Sequence, residues 1–122
     1  MRAERRGPLP AERDRVIVHP QVLATIASLA ALSVPGVARL RASRLGPLAR
    51  LLRRQTSPGV DLRVDGDLVA IDLFLVLSGG FALLDVSRRV QAAVVRAIAE
   101  MTDMQARQVN VHVVGVRAAS YC

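Results

Sequence analysis

Strict alternation of apolar and polar positions is clearest in the middle of the chain. Val60, Leu62 and Val64 alternate with Asp61, Arg63 and Asp65; Gly66 then interrupts before an apolar run of ten residues from Leu68 to Leu77. A period of two is that of a half-buried strand, and a glycine between two such runs marks a hairpin. An Asp65-Gly66 loop sets Asp61 opposite Ala70, whereas a Gly66-Asp67 loop sets it opposite Asp72. Like charges directly opposite repel and Asp-Gly suits a type I′ turn, so the first register is expected. In either, Val60 and Leu62 share a face with Val69 and Ile71. The other face carries Leu68, Ala70, Asp72, Phe74 and Val76, too apolar to be left wholly in water, so self-association or a partner is expected to cover it.

Helical periodicity follows. Ser78-Gly79-Gly80 reads as a turn, because it lacks the glycine pattern and the lysine of a phosphate loop. Beyond it, Val86, Val90, Ala93, Val94, Ala97 and Met101 form an apolar stripe opposite Arg88, Arg89 and Arg96. Asp85 is the expected N-cap, and Asp103 the residue whose left-handed backbone ends the helix. A last strand runs from Arg107 to Val116, where Val109, Val111 and Val113 alternate with Asn110, His112 and Val114.

The stretch Leu23 to Leu40, LATIASLAALSVPGVARL, supports two readings. The leader Met1 to Arg15 has five arginines, the run Val22 to Val34 is apolar, and Gly36 and Ala38 are small, as in a secretory signal. Against this, Glu4, Glu12 and Asp14 are unusual in a leader, and Thr25, Ser28 and Ser33 dilute the run. Thirteen residues also fall short of the roughly 20 that span a bilayer. The helix reading leaves fewer leftovers: Val16, Ile17 and Val18 form a short strand, Pro20 opens a helix, and Pro35-Gly36 closes it. Val22, Ile26, Leu29 and Ser33 fall on one stripe and Leu23, Ala27, Ala30 and Val34 on the next, so a broad buried face is expected. His19 is expected to be a strand-end or cap residue. Val37 to Leu40 is a further short strand.

At 122 residues the chain is one domain. Residues 1-14 read as a charged flexible tail, 15-117 as the folded domain with a basic loop at 41-58, and 118-122 as a second tail. Apolar residues make up 52% of the chain and aromatics 2%, so the core is aliphatic and almost nothing remains to stack nucleic-acid bases. All 17 basic residues are arginine, which removes lysine chemistry. Two histidines and one cysteine, Cys122, are too scattered for zinc, and one cysteine makes no intrachain disulfide. No catalytic residue, metal or cofactor is expected. The charge is local: Arg39, Arg41, Arg44, Arg50, Arg53 and Arg54, with no acid among them, supply six of the seven net positive charges. Around Gly46-Pro47, Leu48, Leu51 and Leu52 would share one side of a basic amphipathic turn suited to an anionic membrane or an acidic partner, unless the segment is simply a solvated loop. Asp72, Phe74, Asn110 and His112 complete the candidate interaction surface.

The element order β-α-β-β-β-α-β gives an α+β class: a two-layer sandwich with two helices on one face of a mostly antiparallel sheet. The segments LATIASLAALSVPGVARL, VDLRVDGDLVAIDLFLVL and EMTDMQARQVNVHVVGV resemble, in this order, the alkaline shock and envelope stress response protein family over about Arg15 to Arg117. The chain departs from it at His19-Pro20, where members commonly have Ser-Pro, and at Thr102-Asp103, where they have Thr-Gly. The resemblance implies a bacterial, cytoplasmic, non-enzymatic protein that assembles with itself at the inner face of the membrane, in some members through a membrane-embedded partner. It also makes the Leu23 to Leu40 stretch core. The resemblance makes a second copy an expected partner; the arginine segment's own chemistry, and not the resemblance, adds a small membrane-anchoring protein or an anionic membrane surface. Nucleic acid contacted by the same arginines is the rival reading.

Overall fold

The computed structural model describes residues 18–42 and 55–118. Helix α1 (Pro20–Leu32) leads to β1 (Val37–Leu40); after the segment that lies outside the described residues come β2 (Gln55–Ser57), β3 (Val60–Asp65) and β4 (Leu68–Ser78). Helix α2 (Leu83–Met101) and β5 (Gln105–Arg117) complete the domain. The two-layer α+β arrangement expected from the pattern is what forms, with both helices on one face of a five-stranded sheet. Of the strand expected at Val16 to Val18, only Val18 is described, partly buried against the core. The turn around Gly46-Pro47 and Arg44, Arg50, Arg53 and Arg54 also lie outside the described residues. Strand β2 has no signature in the pattern and was not expected.

The long strand β4 organises the sheet. Along one edge it pairs antiparallel with β3, from Asp65 opposite Leu68 to Val60 opposite Leu73, and then with β1, from Leu40 opposite Leu75 to Val37 opposite Leu77. Two short strands thus share one edge end to end. Gly59 is the joint: its carbonyl accepts from Phe74 N at 2.9 Å, and Arg41 N donates to Phe74 O at 2.9 Å. A Cβ on Gly59 would lie 2.9 Å from Arg41 N, and its φ of +82° already favours glycine. Along the other edge β4 pairs with β5 in parallel. Parallel pairing follows from connectivity, since α2 carries the chain back to the start of β4 before β5 begins.

The hairpin register corrects the expectation. Asp65 pairs with Leu68 and Asp61 with Asp72, so the loop is Gly66-Asp67. Among the described residues only glycines have positive φ, and Gly66 has φ +62°. A type II′ turn needs positive φ only at its first central position, whereas the type I′ turn would also place Asp65 there.

On the inward face of β4, Val69, Ile71, Leu73, Leu75 and Leu77 are all fully buried. They meet Leu23, Ala24, Ile26, Ala27 and Ala31 of α1 and Val86, Val90, Val94 and Ile98 of α2. Two stripe assignments change: Val22 and Leu29 lie outside the buried face of α1, and Ile98 rather than Met101 completes that of α2. The hydroxyls that dilute α1 are satisfied locally, Thr25 donating to Gln21 O at 3.0 Å and Ser33 to Ala30 O at 2.7 Å. Helix α2 starts three residues earlier than expected: Ala82 occupies the N-cap and Asp85 the first turn, paired with Arg89 at 3.2 Å. At its other end Asp103 is not left-handed. Thr102 takes the cap in an extended conformation, its hydroxyl donating to Ile98 O at 2.7 Å and accepting from Met104 N at 3.0 Å. His19 stands at the N-cap of α1, as expected.

Candidate interaction surface

With both helices on one face, the other face of the sheet is covered by none of the described elements. The pleat of β4 turns Leu68, Ala70, Asp72, Phe74, Val76 and Ser78 toward it. Their cross-strand partners turn the same way: Asp65, Arg63, Asp61 and Arg39 from β3 and β1, and Gln108, Asn110, His112, Gly115 and Arg117 from β5. Two bulges in β5, at Arg107 and Val114, keep these side chains in phase with β4 along its whole length.

At its centre is a polar cluster. Asp72 Oδ1 accepts from Asn110 Nδ2 at 3.0 Å and from His112 at 3.1 Å. A carboxylate only accepts, so His112 carries its proton on Nε2 in this contact. Gln108 Nε2 in turn donates to Asn110 Oδ1 at 3.2 Å. His112 faces Phe74 across the strands, and the rings stack with centroids 4.6 Å apart and planes within 11°. Burial alone would raise the Asp72 pKa. Hydrogen bonds from His112 and Asn110, with the nearby charges of His112 and Arg63, override it and hold the group below its ordinary 3.8. This compensation makes the register with Asp61 opposite Asp72 tolerable.

The face is electrically divided along the strands. Toward the end of β4 lie Arg39, Arg41 and Arg117, and Arg41 reaches across Val76 until its Nη1 is 3.5 Å from where a Cβ on Gly115 would be. Toward the hairpin lie Asp61 and Asp72 and, beyond them, a shallow hollow of about 270 Å³ lined by Arg63, Asp65, Leu68, Ala70, Arg107 and Gln108. Asp72, Phe74, Asn110 and His112, expected to be interaction residues from an alternation in which only Asn110 and His112 hinted at chemistry, are thus one contiguous cluster. Arg39 and Arg41 border it. Arg63, Gln108 and Arg117 were missed, because their place on this face depends on register and bulges. Among the described residues no group of three or more His, Cys, Asp or Glu side chains could hold a metal ion, and no helix is long and apolar enough to cross a membrane.

The fold and this face define a small α+β domain that presents a charged, half-apolar sheet in place of a cleft. The chain belongs to the alkaline shock protein 23 family, described as having a cell envelope-related function, whose model matches residues 9–118. It is 29% identical to the uncharacterized protein YqhY of Bacillus subtilis (strain 168) over 104 residues, 84% of this chain and 77% of that protein. It is 26% identical over 109 residues to the uncharacterized protein YloU of the same organism, covering 87% of this chain and 91% of YloU. The uncharacterized protein Spy1535 of Streptococcus pyogenes serotype M6 is 28% identical over 104 residues, 84% of this chain and 79% of that protein. No solved structure matches the chain significantly.

Proposed function

We propose that this protein is a non-enzymatic envelope stress response module that self-associates through the open face of its sheet and works at the cytoplasmic face of the membrane. The observation that carries the reading is the face itself. A half-buried apolar floor of Leu68, Ala70 and Phe74 is covered by none of the described elements, and opposite charges stand toward its two ends. A two-fold axis across the strands brings Arg39, Arg41 and Arg117 of one copy toward the hairpin end of the other, where Asp65 is exposed and Asp61 and Asp72 add negative charge from beneath, so the surface is its own complement. The family's cell envelope-related description supports a role at the membrane rather than in metabolism.

Sedimentation velocity on the full chain tests the self-association. Wild type is expected to be dimeric or larger at micromolar concentration. Arg41→Glu, which puts like charges across the axis without touching the core, is expected to shift it to monomer, and Phe74→Glu to do the same. A wild type that stays monomeric at tens of micromolar, or an Arg41→Glu variant with unchanged assembly, would refute this use of the face. Fractionation of native cells tests the location, which fails if the protein remains wholly in the soluble fraction.

A further inference from the structure

We infer that the end of the molecule where α1 finishes and α2 begins is a tip that inserts into the interfacial layer of an anionic bilayer. Connectivity brings this end together. Strand β1 starts at Val37 opposite Leu77, so α1 ends beside the last residues of β4. Ser78 N donates to Gly36 O at 2.7 Å, and a Cβ on Gly36 would lie 3.1 Å from the Phe81 ring and 2.8 Å from Val86. Leu29 and Leu32 from α1, Phe81 from the turn before α2, and Leu83 and Leu84 from its start therefore share one end. All five are exposed, Leu29 and Leu84 at 63% each. Isolated exposed leucines need no explanation, but five large apolar side chains on neighbouring turns do.

The charge distribution names the occupant. No charged residue occurs from Ser28 to Val37 or from Ser78 to Leu84. Around this apolar zone stand exposed arginines: Arg117, in register with Ser78; Arg39, in register with Val76; and Arg88, one turn beyond Leu84. The nearest acid, Asp85, is neutralised by Arg89 at 3.2 Å. The opposite end carries Asp65, Asp67, Glu100 and Asp103, in excess over Arg63 and Arg107. An apolar cap with a basic collar, on a domain whose far end is acidic, fits a negatively charged lipid surface: leucines and the phenylalanine enter the acyl boundary while arginines remain at the phosphates. A protein helix would require a groove, whereas this end is built from two helix ends and a projecting turn. The inference rests on the membrane half of the proposed function; it shares Arg39 and Arg117 with the self-association half, but its apolar residues stand at the end of the sheet and off the open face.

The full chain, which contains no tryptophan, allows a direct test with vesicles of phosphatidylcholine alone or mixed with phosphatidylglycerol. The Phe81→Trp variant is expected to show blue-shifted emission and protection from an aqueous quencher on mixed vesicles only. Met101→Trp, at the opposite end and more exposed, is expected to show neither. In co-sedimentation, Leu84→Ser should bind mixed vesicles about tenfold more weakly, Leu29→Ser with Leu84→Ser more weakly still, and Met101→Ser as wild type does. Circular dichroism confirms that each variant is folded. If wild type binds and the tip variants bind equally well, the tip inference falls while a membrane role stands. If wild type binds no vesicle, or both tryptophan reporters shift alike, the inference is overturned as well.

Discussion

The Asp72 and His112 pair ties the centre of the open face to stability, and a double-mutant cycle isolates its contribution. The substitutions are Asp72→Asn and His112→Gln, alone and together, each keeping a polar side chain of similar size. Asp72 is 13% and His112 46% exposed at the side chain, with the two atoms 3.1 Å apart. One hydrogen bond to a charged, mostly buried acceptor contributes on the order of 1.5–3 kcal/mol, but a donor half in water retains much of its solvation when the bond is lost, so a coupling of about 1 kcal/mol is expected at pH 7. For a domain of this size that corresponds to a melting shift of roughly 4–8 °C. Far-UV circular dichroism in urea is the assay. The sign with pH follows from Asp72: its folded pKa lies below 3.8, so on acidification the unfolded chain takes up the proton first. The contribution is fully present above the unfolded value and disappears as pH falls through the folded one. The difference between wild type and Asp72→Asn should therefore shrink as pH falls below about 4. A coupling under about 0.3 kcal/mol at pH 7, or a difference that does not change in acid, would refute the reasoning.

Two glycines with similar backbones separate conformational strain from steric exclusion. Gly66→Ala meets open space and should cost about 1 kcal/mol from its positive φ alone, while Gly59→Ala drives a Cβ to 2.9 Å from the Arg41 backbone and should cost at least about 3 kcal/mol, both read from urea midpoints. Leu23→Ala, at 1% exposure, should cost about 2–5 kcal/mol and Leu29→Ala, at 63%, less than about 0.5; equal losses would mean that the face of α1 has been misassigned. An open-face dimer that mates basic with acidic ends carries its two tips at opposite ends, so wild type should cluster anionic vesicles and raise turbidity, and Arg41→Glu should bind them without clustering. Binding without clustering by a wild type shown to be dimeric would exclude that mating.

The parts of the fold written in short-range pattern were legible: the hairpin, the amphipathic α2 and the last strand. What escaped depended on groups far apart in the chain. The Asp61 and Asp72 register looked repulsive because the hairpin was weighed alone, whereas the charge on Asp72 is answered by Asn110 and His112, some 40 residues on. Thr102 took the C-cap from Asp103 because its hydroxyl both donates and accepts there, so no left-handed residue was required. Arg117 reached the open face through a bulge at Val114, where simple alternation would have turned it inward.

Helix α1 shows why the tip in particular could not be read from periodicity. Between Pro20 and Leu32 only Gln21, Thr25 and Ser28 are polar, so the helix is apolar nearly all round and several faces have similar claims to the core. Packing chose among them by size. Ala24, Ala27 and Ala31 are fully buried, and their small side chains let α1 approach α2 and the sheet closely, which the stripe through Val22 and Leu29 would not. A face selected for small residues leaves bulky ones outside. Leu29 and Leu32 remain exposed because the core had no room for them at that distance, and chain connectivity then sets them at the same end as Phe81, Leu83 and Leu84, the exposed side chains at and just before the start of α2. The same packing that makes this segment indispensable to the core thus produces the apolar end proposed to meet the membrane. It follows that enlarging Ala27 to leucine should harm stability and vesicle binding together, while Leu29→Ser should harm binding alone.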